Sequence, residues 1–165
     1  MRYAKFSYRF GEEVLNSKLA LKNEIEDAIR HIPCEKECLD RPGLNRALNQ
    51  LLSERGWTGQ PDVFGSGEGA LKLDFLKERI GMEIQLGHSS FLGIDILKLQ
   101  VMSYSYRDAI DVGVYLVTTR QFQREAKTRY GANWDGSLNY EKVVRLLPYF
   151  KSAIQIPIFV IGLEF

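Results

Sequence analysis

Cysteine and histidine are nearly absent from this chain, with two of each among 165 residues. Cys34 and Cys38 stand three residues apart, but a structural zinc centre would need about two further ligands at good spacing, and the only histidines are His31 and His88. Two reduced thiols account for the pair. No serine-histidine or cysteine-histidine set with a supporting local motif is present, which argues against covalent catalysis. Charge of one sign is also lacking: 22 Lys and Arg against 21 Asp and Glu leave a net +1. A near-neutral total says nothing about local patches, so those must be read individually. No run of eighteen apolar residues could span a membrane, and Met1 to Phe6 lacks the apolar core of a signal peptide, so a cytoplasmic protein is expected. No low-complexity block argues for disorder.

What is present suits a folded domain. Apolar residues make up 45% of the chain, enough at this length for one core without metal or disulfide support, so a single domain over 1–165 is expected. Tyr3, Phe6, Tyr8 and Phe10 partly alternate with polar residues, which predicts a short strand or extended arm. Leu15, Leu19, Leu21, Ile25, Ala28, Ile29 and Ile32 then recur at near-helical spacing, as one helix broken once. Asp40 before Pro42 reads as a cap and first-turn proline, opening a second helix with Leu44, Leu48, Leu51 and Leu52 on one face and an end near Gly56. Thr58 to Gly69 holds four glycines and Pro61 and reads as a loop. Its glycines resemble a phosphate-binding loop only superficially, because no Lys-Ser/Thr pair follows.

After that loop the period changes to two. Ala70 to Leu76 and Ile80 to Leu86 read as strands joined by Lys77-Glu78-Arg79, a hairpin over about 70–87. Ile94, Leu97, Val101 and Met102 mark a following helix, and Asp111 to Thr118 is an apolar run suited to a buried central strand. Beyond it come a basic stretch over about 119–137, a helical pattern from Tyr140 to Phe150 and a β-rich run from Ile154 to Leu163. The order predicts an α/β fold, a mixed sheet of about four to six strands flanked by helices.

The hairpin carries the chemistry. Glu83 and Gln85, two apart in a strand, share a face, while Met82, Ile84 and Leu86 share the other. With Glu78-Arg79 as the turn, Asp74 lies opposite Glu83, within about 5 Å. Two carboxylates that close repel unless a cation separates them. Mg2+ suits oxygen ligands, and the Ile84 carbonyl offers a third beside Asp74 and Glu83. A wet hairpin face pairing with Lys72 and Arg79 would explain the same carboxylates without function. Asp62, after Pro61, is a second candidate for the first carboxylate, and Glu24 or Glu26 on the first helix for an additional one, although a solvated helix face explains these two as well.

The order of helix, hairpin with Asp and Glu-x-Gln, helix and apolar strand resembles the PD-(D/E)XK nuclease core. Asp74-Phe-Leu-Lys-Glu-Arg-Ile-Gly-Met-Glu83-Ile84-Gln85-Leu-Gly, then Phe91-Leu-Gly-Ile-Asp-Ile-Leu-Lys-Leu-Gln and Asp111-Val-Gly-Val-Tyr-Leu-Val, resemble the BglII and BstYI group of type II restriction endonucleases. In that group Asp, Glu and Gln at this spacing form the metal site, with Gln where most relatives carry Lys. The resemblance implies a Mg2+-dependent endonuclease that cuts double-stranded DNA within a short palindrome, suggestively one with a G-A-T-C centre, and works as a symmetric homodimer. It implies catalytic roles for Asp74, Glu83 and Gln85. Gln85 cannot serve as a base near neutral pH and would orient a water instead. An inactive DNA-binding protein on the same fold, or a PD-(D/E)XK repair nuclease, would keep much of the pattern.

DNA-contact candidates follow from position. His88 and Ser89 come directly after the metal strand, with Ser89 or Ser90 also suited to capping the next helix. Lys98 lies on that helix, where an exposed lysine is the commoner explanation. Arg120, Gln121 and Arg124 open the basic stretch, and Arg and Gln are the side chains that pair with guanine and adenine edges.

Overall fold

The computed structural model describes residues 1–33, 39–65, 71–105 and 107–165. Cys34 and Cys38, and residues 66–69 of the glycine-rich loop, lie outside the described residues. The order is β1 (Arg2–Tyr8), α1 (Gly11–Asn16), α2 (Leu19–Arg30), α3 (Arg41–Glu54), β2 (Thr58–Gly59), β3 (Phe75–Lys77), β4 (Ile80–Ile84), α4 (Leu92–Tyr104), β5 (Val112–Thr118), α5 (Arg120–Tyr130), α6 (Tyr140–Leu146) and β6 (Ile158–Glu164). The strands form one mixed sheet in the order β1-β6-β5-β4-β3-β2. The three central strands, β4, β5 and β6, run parallel. The expected mixed sheet with flanking helices is thus present, with six strands.

Alternation along the strands divides the core in two. Met82, Val112, Val114, Leu116, Phe159 and Ile161 face α2 and α3, while Leu73, Tyr115, Val117, Ile158 and Val160 face α4 and α6. β5 is buried along its whole length, as its apolar run predicts. Gly113 lets α4 approach the sheet: a Cβ there would lie 2.8 Å from Leu99 Cδ1.

Three boundaries differ from the sequence reading. Thr58–Gly59, expected in a loop, extends the sheet by pairing with β3. The first hairpin strand is short, because the ladder stops at Phe75↔Met82 and Asp74 takes the Ile84 N–H with its side chain instead. The last strand starts at Ile158, after Pro157, which has no N–H to give but accepts from Gly113 through its carbonyl.

The helix marked by Ile94, Leu97, Val101 and Met102 is present, but Ile94 and Leu97 are exposed, and the buried residues are Leu92, Asp95, Ile96, Leu99 and Met102. This helix is apolar around most of its circumference, so spacing alone selects no face. Asp40 caps α3 as expected, accepting from the Gly43 N–H at 2.7 Å. Among the described residues no helix is long and apolar enough to cross a membrane.

Candidate active site

The hairpin turn fixes the register of the site. Glu78 and Arg79 both adopt positive φ, 44° and 66°, as a two-residue turn of the primed type requires. Arg79 anchors the turn to Asp108 and Asp111, at 2.9 and 2.8 Å. With Lys77 paired to Ile80 and Phe75 to Met82, Asp74 falls opposite Glu83 by count, on the side of the sheet that faces α4.

Glu83 is only 2% exposed, which removes the wet-face explanation. Arg79 is committed to Asp108 and Asp111, and Lys72 offers the site its carbonyl rather than its charge. Asp74 Oδ2 accepts the Ile84 N–H at 2.7 Å, and its Oδ1 accepts from Gln60 Nε2 at 3.2 Å. Burial raises the Asp74 pKa, and the Ile84 hydrogen bond opposes that rise. Burial, then the Asp74 charge, push Glu83 up to about 8, with Lys98 pulling the other way.

Two residues of α4 complete the cluster. Lys98 is no exposed lysine: its side chain is 12% exposed, with Nζ 2.7 Å from Glu83 Oε1 and 3.3 Å from Asp95 Oδ1. It donates to the Lys72 carbonyl at 3.1 Å. Burial works against its charge, but Glu83, Asp95 and Asp74 outweigh that, and its pKa is raised. Buried Asp95 accepts at Oδ2 from Gln85 Nε2, 2.6 Å, and from the Tyr115 hydroxyl, 3.0 Å. Burial and then Asp95 hold the Tyr115 pKa well above its usual range, so the hydroxyl remains a donor. Gln85 Oε1 accepts from the Gly87 N–H at 2.7 Å, so both ends of its amide are fixed.

Asp74, Glu83, Ile84, Gln85 and Lys98 therefore converge, and Asp95 and Tyr115 are functional candidates that the sequence reading missed. Their signal was available: Asp95 lies seven before Met102 and three after Leu92 on the buried stripe, and Tyr115 interrupts an aliphatic run. Glu24 does not join them. It pairs with Lys77, whose side chain alternates to the opposite face from Asp74, and Glu26 pairs with Arg30. Asp62 forms a main-chain bridge to Lys72, and its carboxylate accepts from the Phe64 N–H.

His88, rather than a serine, caps the short 3-10 turn Ser89–Phe91, accepting from the Ser90 N–H. Ser89 Oγ accepts from Lys142 Nζ at 2.8 Å. His88 bridges to Ser137, which ties the end of the carboxylate hairpin to the end of the basic stretch. Arg120, Gln121 and Arg124 lie on α5, capped by Thr119, and line a separate groove of about 650 Å³ with Lys127, Trp134, Asp135 and Glu141. Glu83 and Arg120 thus both stand at the carboxyl ends of parallel strands, the usual place for sites in such sheets.

The donor set fits a hard cation. Glu83 Oε1 is a buried oxygen that accepts no well-directed hydrogen bond, Lys98 approaching it off-angle, and the Asp74 carboxylate lies beside it. Among the described residues no three His, Cys, Asp or Glu side chains gather as ligands, so two carboxylates and the Ile84 carbonyl are the protein oxygens on offer.

A restriction-endonuclease-type α/β fold with a carboxylate hairpin at its strand ends is what these features define. The family model described as restriction endonuclease BglII/BglIII matches residues 3–163, and the chain belongs to that family. In fold it is similar to a crystal structure of restriction endonuclease BglII complexed with a DNA 16-mer, with a TM-score of 0.80 at 19% identity, over 99% of this chain and 76% of that one. No curated protein matches the chain in sequence.

Proposed function

We propose that this protein is a Mg2+-dependent type II restriction endonuclease that hydrolyses phosphodiester bonds of double-stranded DNA at a short palindromic site, for which a G-A-T-C centre is the first to test. The observation that carries this reading is the pairing of Asp74 with Glu83 at the end of a hairpin, with a buried Glu83 oxygen lacking a directed donor. Family membership supports the reaction class.

Asp74, Glu83 and the Ile84 carbonyl would hold Mg2+. When bound there, the ion supplies Lewis acidity toward a water and offsets charge developing on phosphate. Gln85, fixed between Gly87 and Asp95, retains one amide N–H with which to orient a water. Tyr115 and Asp95 stiffen that amide from below. His88, Ser89, Lys98, Arg120, Gln121 and Arg124 would contact DNA, with the α5 groove the part suited to base edges. Exposed Phe91, Ile94, Leu97 and Phe150 give α4 and its surroundings an apolar surface that supports pairing with a second copy.

The test is incubation of a heterogeneous duplex with protein and Mg2+, wild type against Glu83→Ala. Discrete fragments that vanish in the variant are the expected result. A smear would indicate a less specific nuclease of the same superfamily, and intact DNA across several metals and sequences would overturn the enzyme reading.

A further inference from the structure

We propose that Lys98 is a mobile cation of the active site, seated on Glu83 in the DNA-free protein and transferred to a substrate phosphate once a divalent ion takes Glu83, and hence a catalytic residue contributed by α4. This rests on the nuclease reading above.

The starting position is defined by three contacts. Lys98 Nζ lies 2.7 Å from Glu83 Oε1, 3.3 Å from Asp95 Oδ1 and 3.1 Å from the Lys72 carbonyl. The ammonium therefore neutralises part of the Asp74-Glu83 repulsion from the same oxygen that a metal would use. Its contact with that oxygen is close but poorly directed, since Glu83 Oε1 accepts no hydrogen bond of good geometry. A contact of that kind, with Glu83 ionised, is held mainly by charge, and a dipositive ion competes for the same oxygen with twice the charge.

Displacement has a preferred direction. Asp95 cannot follow the ammonium, because its other oxygen is held by Gln85 and Tyr115. Asp95 therefore stays in place as the ammonium moves on its four-carbon stem. The space on the outer side of Lys98 is an apolar cleft lined by Val63, Phe64, Leu71, Ile94, Leu97 and Val101, whose side chains offer an ammonium no acceptor. The polar side, where the carboxylates would position phosphate through the ion, is the remaining one. There the ammonium keeps all three protons and acts by charge, opposite the negative charge that grows on the phosphate oxygens as the P–O bond breaks. Gln85 has no charge to offer in that role, and among the described residues Lys98 is the cation within ion-pair distance of Glu83.

Charge removal should move two readouts in opposite directions. Lys98→Met keeps the stem and removes the ammonium. In alkaline buffer the DNA-free variant should bind Mn2+, followed by electron paramagnetic resonance, about tenfold tighter than wild type. Its single-turnover cleavage at saturating Mn2+ or Mg2+ should fall about a hundredfold. Lys98→Arg should restore wild-type Mn2+ affinity and part of the rate. A merely structural lysine would weaken both readouts or neither, and Mn2+ affinity that is unchanged or weaker in Lys98→Met overturns the proposal, as does an unchanged cleavage rate. If Lys98→Met does not fold, Lys98→Gln, which can still donate to the Lys72 carbonyl, carries the same expectations. Wild-type protein that binds Mn2+ yet cuts no duplex would overturn the nuclease reading and with it the catalytic role, while the Mn2+ comparison still decides whether Lys98 competes for Glu83.

Discussion

Asp74 closes the hairpin with its side chain where the main-chain ladder has ended, its Oδ2 accepting the Ile84 N–H at 2.7 Å. One residue thereby orients the peptide whose neighbour is Glu83 and supplies charge to the same site. Asp74→Asn separates these roles, since the amide oxygen can still accept from Ile84. In buffer above about pH 8, where Glu83 is ionised, we expect Asp74→Asn to fold with a melting temperature at or above that of the metal-free wild type, because like-charge repulsion with Glu83 is gone. Cleavage should fall by on the order of a thousandfold, checked by single-turnover kinetics beside thermal denaturation.

The raised Glu83 pKa makes metal-free stability depend on pH. In the unfolded chain Glu83 titrates near its ordinary value of 4.5, and in the folded protein near about 8. Between those values the folded state holds one more proton than the unfolded state, so stability falls as pH rises through that window and levels off above it. Glu83→Gln should flatten this slope in urea titrations. Below about pH 8 divalent-ion binding must also expel a proton, visible as a buffer-dependent heat in calorimetry.

Tyr115 and Gln85 share Asp95, so their substitutions should not add. Tyr115→Phe removes one donor from a buried carboxylate and should cost about 1–3 kcal/mol in chemical denaturation. Once Gln85→Ala has removed the other donor, the increment for Tyr115→Phe should differ by more than about 0.5 kcal/mol, read from a double-mutant cycle.

Gly113→Ala tests how α4 is seated. A methyl group there would stand 2.8 Å from Leu99 Cδ1, and should push the helix outward at about 1–3 kcal/mol. Because Asp95 and Lys98 ride on α4, cleavage should fall more than the stability loss explains. Leu99→Ala in the same chain should recover part of the activity.

The hairpin was legible because its information is local. Alternation assigned Asp74 and Glu83 to one face, and the two-residue turn set their register, both within a short span. Asp40, read as a cap beside Pro42, likewise caps the helix that starts immediately after it. α4 was not legible in the same way. Its outward side carries Ile94 and Leu97, while its inward side sets Asp95 and Lys98 among Leu92, Ile96, Leu99 and Met102, so charge is buried and apolar residues are exposed on one helix. Only the carboxylates and Tyr115 on neighbouring strands, distant in sequence, make that inward side a suitable place for charge. The same nonlocal logic assigned Glu24 to Lys77, across the sheet from the site.

The Glu78-Arg79 turn contains no group that touches the site, yet it acts as the reading frame of the hairpin. Strand side chains alternate with a period of two, so one inserted residue at this turn would shift the frame. Phe75 would then be offered to the position now filled by Asp74, and Leu73 would face the wrong core. Adding one glycine between Glu78 and Arg79 should therefore abolish divalent-ion binding as completely as deleting a carboxylate, while two added glycines, which restore parity, should return part of it. In this protein the count of residues at a distant bend is as much a determinant of the chemistry as the carboxylates it aligns.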